Sequence, residues 1–126
     1  MSDTTVTRIE KPWGYELHWA KTDRYVGKVL HVTAGQALSL QYHNRKDETI
    51  YLYSGTMVFE IERDGELTKR AMQPGDSVHV APGTVHRMTA IEDCDVLDVS
   101  TPELDDVVRL EDRYGRVDTK PPLVKP

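Results

Sequence analysis

The stretch Gly35-Gln36-Ala37-Leu38-Ser39-Leu40-Gln41-Tyr42-His43-Asn44-Arg45-Lys46-Asp47-Glu48, closed by Gly55, decides how the rest of the chain is read. Taken as a strand, residues 38–43 alternate: Leu38, Leu40 and Tyr42 point one way, and Ser39, Gln41 and His43 the other. An amide oxygen and an imidazole therefore lie side by side on one face. Five residues on, Glu48 opens a second run, Ile50-Tyr51-Leu52-Tyr53, and the loop between is long enough to return its carboxylate to that face. Three such donors make part of a metal site. The candidate for a fourth is His86, in Ala81-Pro82-Gly83-Thr84-Val85-His86.

The spacing Gly35-x5-Gln41-x-His43-x4-Glu48-x6-Gly55 resembles the first motif of the cupins, with glutamine where the commonest version carries its first histidine. Gly75-x5-Ala81-x-Gly83-x2-His86 is similar to the second, with the proline moved one place, to Pro82. Three further stretches look like one branch of that family. They are Lys11-Pro12-Trp13-Gly14, Leu38-Ser39-Leu40-Gln41-x-His43, and Asp105-Asp106-Val107-Val108-Arg109-Leu110-Glu111-Asp112-Arg113-Tyr114-Gly115-Arg116. Together, over residues 7–116, they resemble the type II mannose-6-phosphate isomerase domain, often fused behind a mannose-1-phosphate guanylyltransferase.

That resemblance implies an all-β cupin barrel, the double-stranded β-helix or jelly roll, as a single domain over 1–126 with its core at 7–116 and an exposed tail at 117–126. It implies one divalent metal ion on Gln41, His43, Glu48 and His86. Two nitrogens and two oxygens suit Zn²⁺ first, and also Mn²⁺, Fe²⁺, Co²⁺ or Ni²⁺. It further implies a homodimer, paired through a strand face. The chain departs from the branch in the metal loop. Where type II isomerases read His-His-His-Arg-Ala-Glu-His-Trp, here stand His43-Asn44-Arg45-Lys46-Asp47-Glu48-Thr49-Ile50. The metal pair is kept and the residues around the substrate are altered.

Composition agrees with a small soluble domain. The chain has 126 residues, 38% hydrophobic and 29% charged, enough for one core without disulfides. No apolar run approaches a membrane span, and the N-terminus lacks signal-peptide character, so the cytoplasm is the expected location. A net charge of −5 argues against nucleic acid as partner, and an anionic substrate would need a local basic patch. Cys94, the single cysteine, is flanked by Glu92, Asp93 and Asp95, which raise a thiol pKa, so it reads as structural.

Short runs with Gly/Pro turns between them predict strands throughout. Trp13–Trp19 reads as the first, residues 25–32 as the next, then 57–62 and 67–72 joined by an Asp64-Gly65 hairpin turn. Residues 77–80, 85–88 and 95–100 close the barrel. One helical segment is predicted near the end. Thr101 suits an N-cap, Pro102 the first helical position, and Glu103, Asp105 and Asp106 the positive end of the dipole.

The catalytic candidates are Lys28, His79 and Glu111. Lys28 matches a lysine of the resembling family, although a surface lysine on an edge reads equally well. His79 precedes the His86 turn and reads at least as well as a structural histidine; His31, on the face opposite Lys28, reads as structural, and His18 as surface or core. Arg109, Arg113 and Arg45 are the candidates for binding a substrate phosphate, the first two alternatively pairing with neighbouring acids. The leading expectation is metal-dependent isomerisation of a sugar phosphate, most simply mannose 6-phosphate to fructose 6-phosphate through a cis-enediolate. Its rivals are another metal-dependent cupin enzyme, a dioxygenase or a sugar epimerase, and a non-catalytic module binding a sugar or small acid.

Overall fold

The structure, a computed structural model, describes residue 3 and residues 5–117. It is all-β. Eleven strands run in order: β1 (Thr7–Lys11), β2 (Gly14–Lys21), β3 (Val26–Val32), β4 (Leu40–Tyr42), β5 (Glu48–Ser54), β6 (Met57–Arg63), β7 (Glu66–Met72), β8 (Ser77–Val80), β9 (His86–Ala90), β10 (Cys94–Ser100) and β11 (Val108–Glu111). They form two antiparallel sheets, a six-stranded one ordered β1-β2-β3-β10-β5-β8 and a five-stranded one ordered β11-β4-β9-β6-β7. Strands close in sequence, such as β3 and β4, enter different sheets, the alternation that wraps a jelly roll.

Period-2 patterning sets which side chains face inward. Glu48, Ile50 and Leu52 of β5 are buried while Thr49, Tyr51 and Tyr53 are exposed. Cys94, Val96, Asp98 and Ser100 of β10 repeat the pattern. Between the sheets lies an apolar core around Phe59, Leu52, Ile50, Met57, Met72 and Val96. A smaller cluster of Leu40, Tyr42 and Val85, with Val108 against it, closes the end where β4 and β11 pair. Trp13 is buried in the main core, whereas Trp19 lies 43% exposed.

Two turns need glycine. Gly55 has φ 89°, and a Cβ there would collide with the Asp93 carbonyl. The Asp64-Gly65 hairpin has both residues at positive φ, 52° and 79°, as a type I′ turn requires.

The predicted C-terminal helix does not form; the described residues contain no helix. The capping groups are used elsewhere. The Thr101 hydroxyl accepts the Asp47 amide at 3.0 Å, and the Asp106 carboxylate accepts the amides of Asn44, Arg45 and Lys46. Val107 and Val108 are half-buried, and the segment ends as strand β11 against β4. Tertiary hydrogen bonds and apolar contacts thus override a short helix of marginal intrinsic stability. β1, which pairs with β2, had no clear signal in its charged sequence Thr-Arg-Ile-Glu-Lys. The tail expected at 117–126 lies, Val117 apart, outside the described residues. No helix among the described residues is long and apolar enough to cross a membrane.

Candidate metal centre and cleft

β4 is short, and His43 stands just past its end. Its carbonyl accepts the amide of Gly83 at 2.7 Å, which ties the first sequence motif to the loop that delivers His86. Glu48 follows as the first residue of β5. The three side chains converge, with Glu48 Oε2 2.9 Å from His43 Nε2 and 3.4 Å from His86 Nε2. Their ligand atoms lie within 4.8 Å of one another, and all three residues are buried.

The second nitrogen of each ring fixes its tautomer. His43 Nδ1 donates to the Asp106 carbonyl, and His86 Nδ1 to the Thr84 carbonyl at 2.9 Å. In the neutral form of each ring Nε2 then carries a lone pair turned toward Glu48, and in that form neither Nε2 has a hydrogen-bond partner. In that form two lone pairs and a carboxylate oxygen face one point away from water, an arrangement that a cation between them would stabilise. A divalent cation fits this donor set. Gln41 is the cross-strand partner of His86, so its side chain lies on the same face. It accepts the Ser39 hydroxyl at 2.6 Å.

Two carboxyls, Glu48 of the centre and Asp98 on the neighbouring strand β10, are shifted in opposite directions. Burial pushes Glu48 up, but hydrogen bonds from the His43 and His86 rings when these carry a proton on Nε2, and the charge of Lys46 (Nζ 4.0 Å away), pull it well below the usual carboxylate range. Asp98, inward-facing on β10, is pushed well above that range by burial and by the charge of Glu48.

A cleft of about 90 Å³ opens beside His43 and Gln41. Its walls carry five cations, Lys11, Lys28, Lys46, Arg109 and Arg116, and a single carboxylate, Glu16. Trp13, Leu38, Leu104 and Val107 supply apolar surface. In a chain of net charge −5 this is a sharp local reversal of sign. Arg116 is held by Asp112, which accepts its Nε and Nη2 at 2.9 Å, the outermost part of the block 105–116 folding back over the cleft.

The candidate residues separate on this map. Lys28 is buried, lines the cleft, and lies 3.4 Å from Glu16. Arg109 lines the cleft as well. His79 does not: it is exposed on the outside of β8, 2.6 Å from Asp47. Glu111 is exposed and pairs with Arg87, which is itself held by Glu60. Arg113 is exposed and donates to the Gly35 carbonyl, and Arg45 is exposed in the metal loop. His31 is a structural residue, stacked on Tyr15 and paired with Asp95 at 2.7 Å.

Three polar residues of the interior escaped the sequence reading: Glu16, Asp98 and His18, the last set aside as surface or core. His18 Nε2 lies 2.7 Å from Glu16 Oε1. All three occupy inward parity on β2 or β10, and a charged residue at an inward position of a strand was the signal available.

Residues 28–100 match the family model described as a cupin domain. The chain is a cupin. Among its relatives this cupin is 32% identical over 114 residues to mannose-1-phosphate guanylyltransferase of Escherichia coli (strain K12), a match covering 86% of this chain and 23% of that protein. It is 31% identical over 114 residues to the xanthan biosynthesis protein XanB of Xanthomonas campestris pv. campestris (strain B100), covering 86% and 24%. This cupin thus spans about a quarter of the length of these relatives. In structure it is similar to KdgF from Halomonas sp., with TM-score 0.64 and 27% identity over 81% of this chain and 91% of that one. It shares the fold of oxalate decarboxylase from Bacillus subtilis, with TM-score 0.72 and 20% identity over 86% and 30% of the two chains.

Proposed function

We propose that this cupin is a metal-dependent isomerase of a phosphorylated sugar, most simply of mannose 6-phosphate to fructose 6-phosphate. The observation that carries the reading is the five-cation cleft opening beside the His43–Glu48–His86 cluster. An anionic group and a metal-held polar group would be bound within one small space. The relatives named for mannose 1-phosphate supply the sugar class.

His43, Glu48 and His86, with Gln41 beside them, would hold a divalent ion, Zn²⁺ foremost, which when bound supplies a Lewis acid for carbonyl and hydroxyl oxygens. The chain's own groups do the rest. Lys46, Arg109 and Arg116 bind the phosphate, and their charge also favours the negative charge that develops during enolisation. Trp13, Leu38, Leu104 and Val107 exclude water from the cleft, which strengthens each of those interactions. Lys28, inside the cleft, is placed to donate a proton to a sugar oxygen.

A coupled assay with mannose 6-phosphate tests the reading. Turnover abolished by chelator and by Glu48→Gln supports it; wild-type protein that binds metal but converts no hexose phosphate refutes it. Two histidines and a carboxylate also suit Fe²⁺ and oxygen chemistry, so substrate-dependent oxygen uptake would mark the rival reading. Pairing of two copies belongs to the same proposal. The outer face of the six-stranded sheet, where Tyr51, Tyr53 and Val99 are exposed, is open to it, and sedimentation velocity reads it directly.

A further inference from the structure

Glu16 is the only carboxylate among the described residues lining the cleft. In a space whose other charges attract an anion, a carboxylate weakens binding, and its presence asks for a reason. It is buried, with its side chain 12% exposed. One oxygen, Oε1, takes both His18 Nε2 at 2.7 Å and Lys28 Nζ at 3.4 Å; the other, Oε2, faces Lys11 at 4.0 Å, beyond hydrogen-bond length. Burial would raise this carboxyl, but Lys28, His18 and Lys11 outweigh it and keep it below the usual value, so it is ionised.

The neighbours of Glu16 divide between two spaces. Lys11 and Lys28 line both the cleft and a second hollow of about 520 Å³, while Glu16 lines only the first and His18 only the second. The Glu16–His18 hydrogen bond therefore bridges the cleft and a separate opening bounded by Thr5, Thr7, Trp19 and Lys21. A carboxylate in the cleft, oriented by an imidazole that reaches other water, is the arrangement of a base with a proton outlet.

We infer that Glu16 is the general base of the isomerisation and that His18 orients it and exchanges its proton with the second hollow. This rests on the sugar-phosphate reading above. Starting from the aldose, Glu16 takes the proton from C2; the C–H electron pair forms the C1=C2 bond, the carbonyl π pair moves to O1, and O1 takes a proton from Lys28. In the return half, O2–H gives its proton to Lys28, its bonding pair forms C2=O2, and the C1=C2 pair takes the proton from Glu16 at C1. Nothing is consumed, and both side chains end as they began. Of the three bases named from the sequence, Lys28 thus becomes the acid, and His79 and Glu111 lie outside the cleft.

The test is conversion of mannose 6-phosphate by the Zn²⁺-loaded protein in D2O, followed by NMR, for wild type, Glu16→Gln, Glu16→Asp and His18→Asn. Glu16→Gln should lower kcat by about a thousandfold. Its KM should be unchanged or lower, since a repelling charge is gone, and its metal stoichiometry and Tm should be retained. Glu16→Asp should restore part of the rate. His18→Asn should incorporate less solvent deuterium at C1, because the proton on Glu16 no longer exchanges. Glu16→Gln within tenfold of wild type, or a loss that follows lost metal or raised KM, overturns the role of Glu16 alone. A wild type that neither converts nor exchanges the sugar removes the sugar-phosphate reading, and the role with it.

Discussion

Gln41 of β4 lies directly across from His86 of β9, so an amide stands at the corner of the centre where an imidazole would be a stronger donor. A neutral amide oxygen binds a borderline-soft ion weakly. Gln41→His should tighten Zn²⁺ binding by at least about tenfold, and Gln41→Ala should weaken it far less than His43→Ala does. Competition against a fluorescent chelator measures both. Equal losses for Gln41→Ala and His43→Ala would show that the amide is a full ligand.

Asp106 holds the metal loop. Its carboxylate accepts three consecutive amides, and its own carbonyl orients His43. Burial would raise its pKa, but the amides of Arg45, Asn44 and Lys46 bring it below the usual value. A depressed carboxyl contributes stability that is complete above its unfolded pKa and is lost as pH falls through the folded one. The stability gap between wild type and Asp106→Asn should therefore be largest near neutral pH and close in acid, as read by urea denaturation at a series of pH values. Metal affinity of the variant should fall by about 10-fold or more, because the orientation of His43 loosens.

Cys94 is a structural thiol. Burial first, then the charges of Asp95, Glu92 and Asp93, push it up to about 11. At pH 8 it should be inert to Ellman's reagent in the folded protein and react at once in denaturant. Fast labelling of the native state would contradict this.

The core prediction concerns Phe59, which is fully buried and packs near His86 with ring centroids 6.1 Å apart. Phe59→Ala should cost about 3–5 kcal/mol by chemical denaturation. Phe59→Leu should cost much less, and the metal stoichiometry of the folded variant should persist.

How much of this was legible follows from the kind of signal each feature leaves. The barrel was readable because strand parity and turn residues are local, and β3, β6, β8 and the Asp64-Gly65 hairpin fall where their residues place them. The convergence of His43, Glu48 and His86 was readable because motif spacing places all three at strand ends that meet between the two sheets. The helix failed because Thr101 and Asp106 cap in either context; what decides between them is the metal loop's amides, more than fifty residues away. The cleft failed in part for a related reason. Arg113 and Arg116 stand three apart in one block, yet one turns to a backbone carbonyl and the other to the cleft. Glu16 and His18 were overlooked because their partner Lys28 is on another strand, and pairing across strands leaves no mark in a single sequence.

The central claim is that Glu48 and the two lone-pair nitrogens of His43 and His86 enclose a cation. Native mass spectrometry of protein purified without chelator, beside Glu48→Gln, tests it most directly. The account predicts about one divalent ion per wild-type chain, removed by chelator and restored by Zn²⁺, and a Glu48→Gln variant that folds but is nearly empty. Wild-type protein that takes up no metal from excess Zn²⁺, or a variant that holds it equally well, would contradict the account.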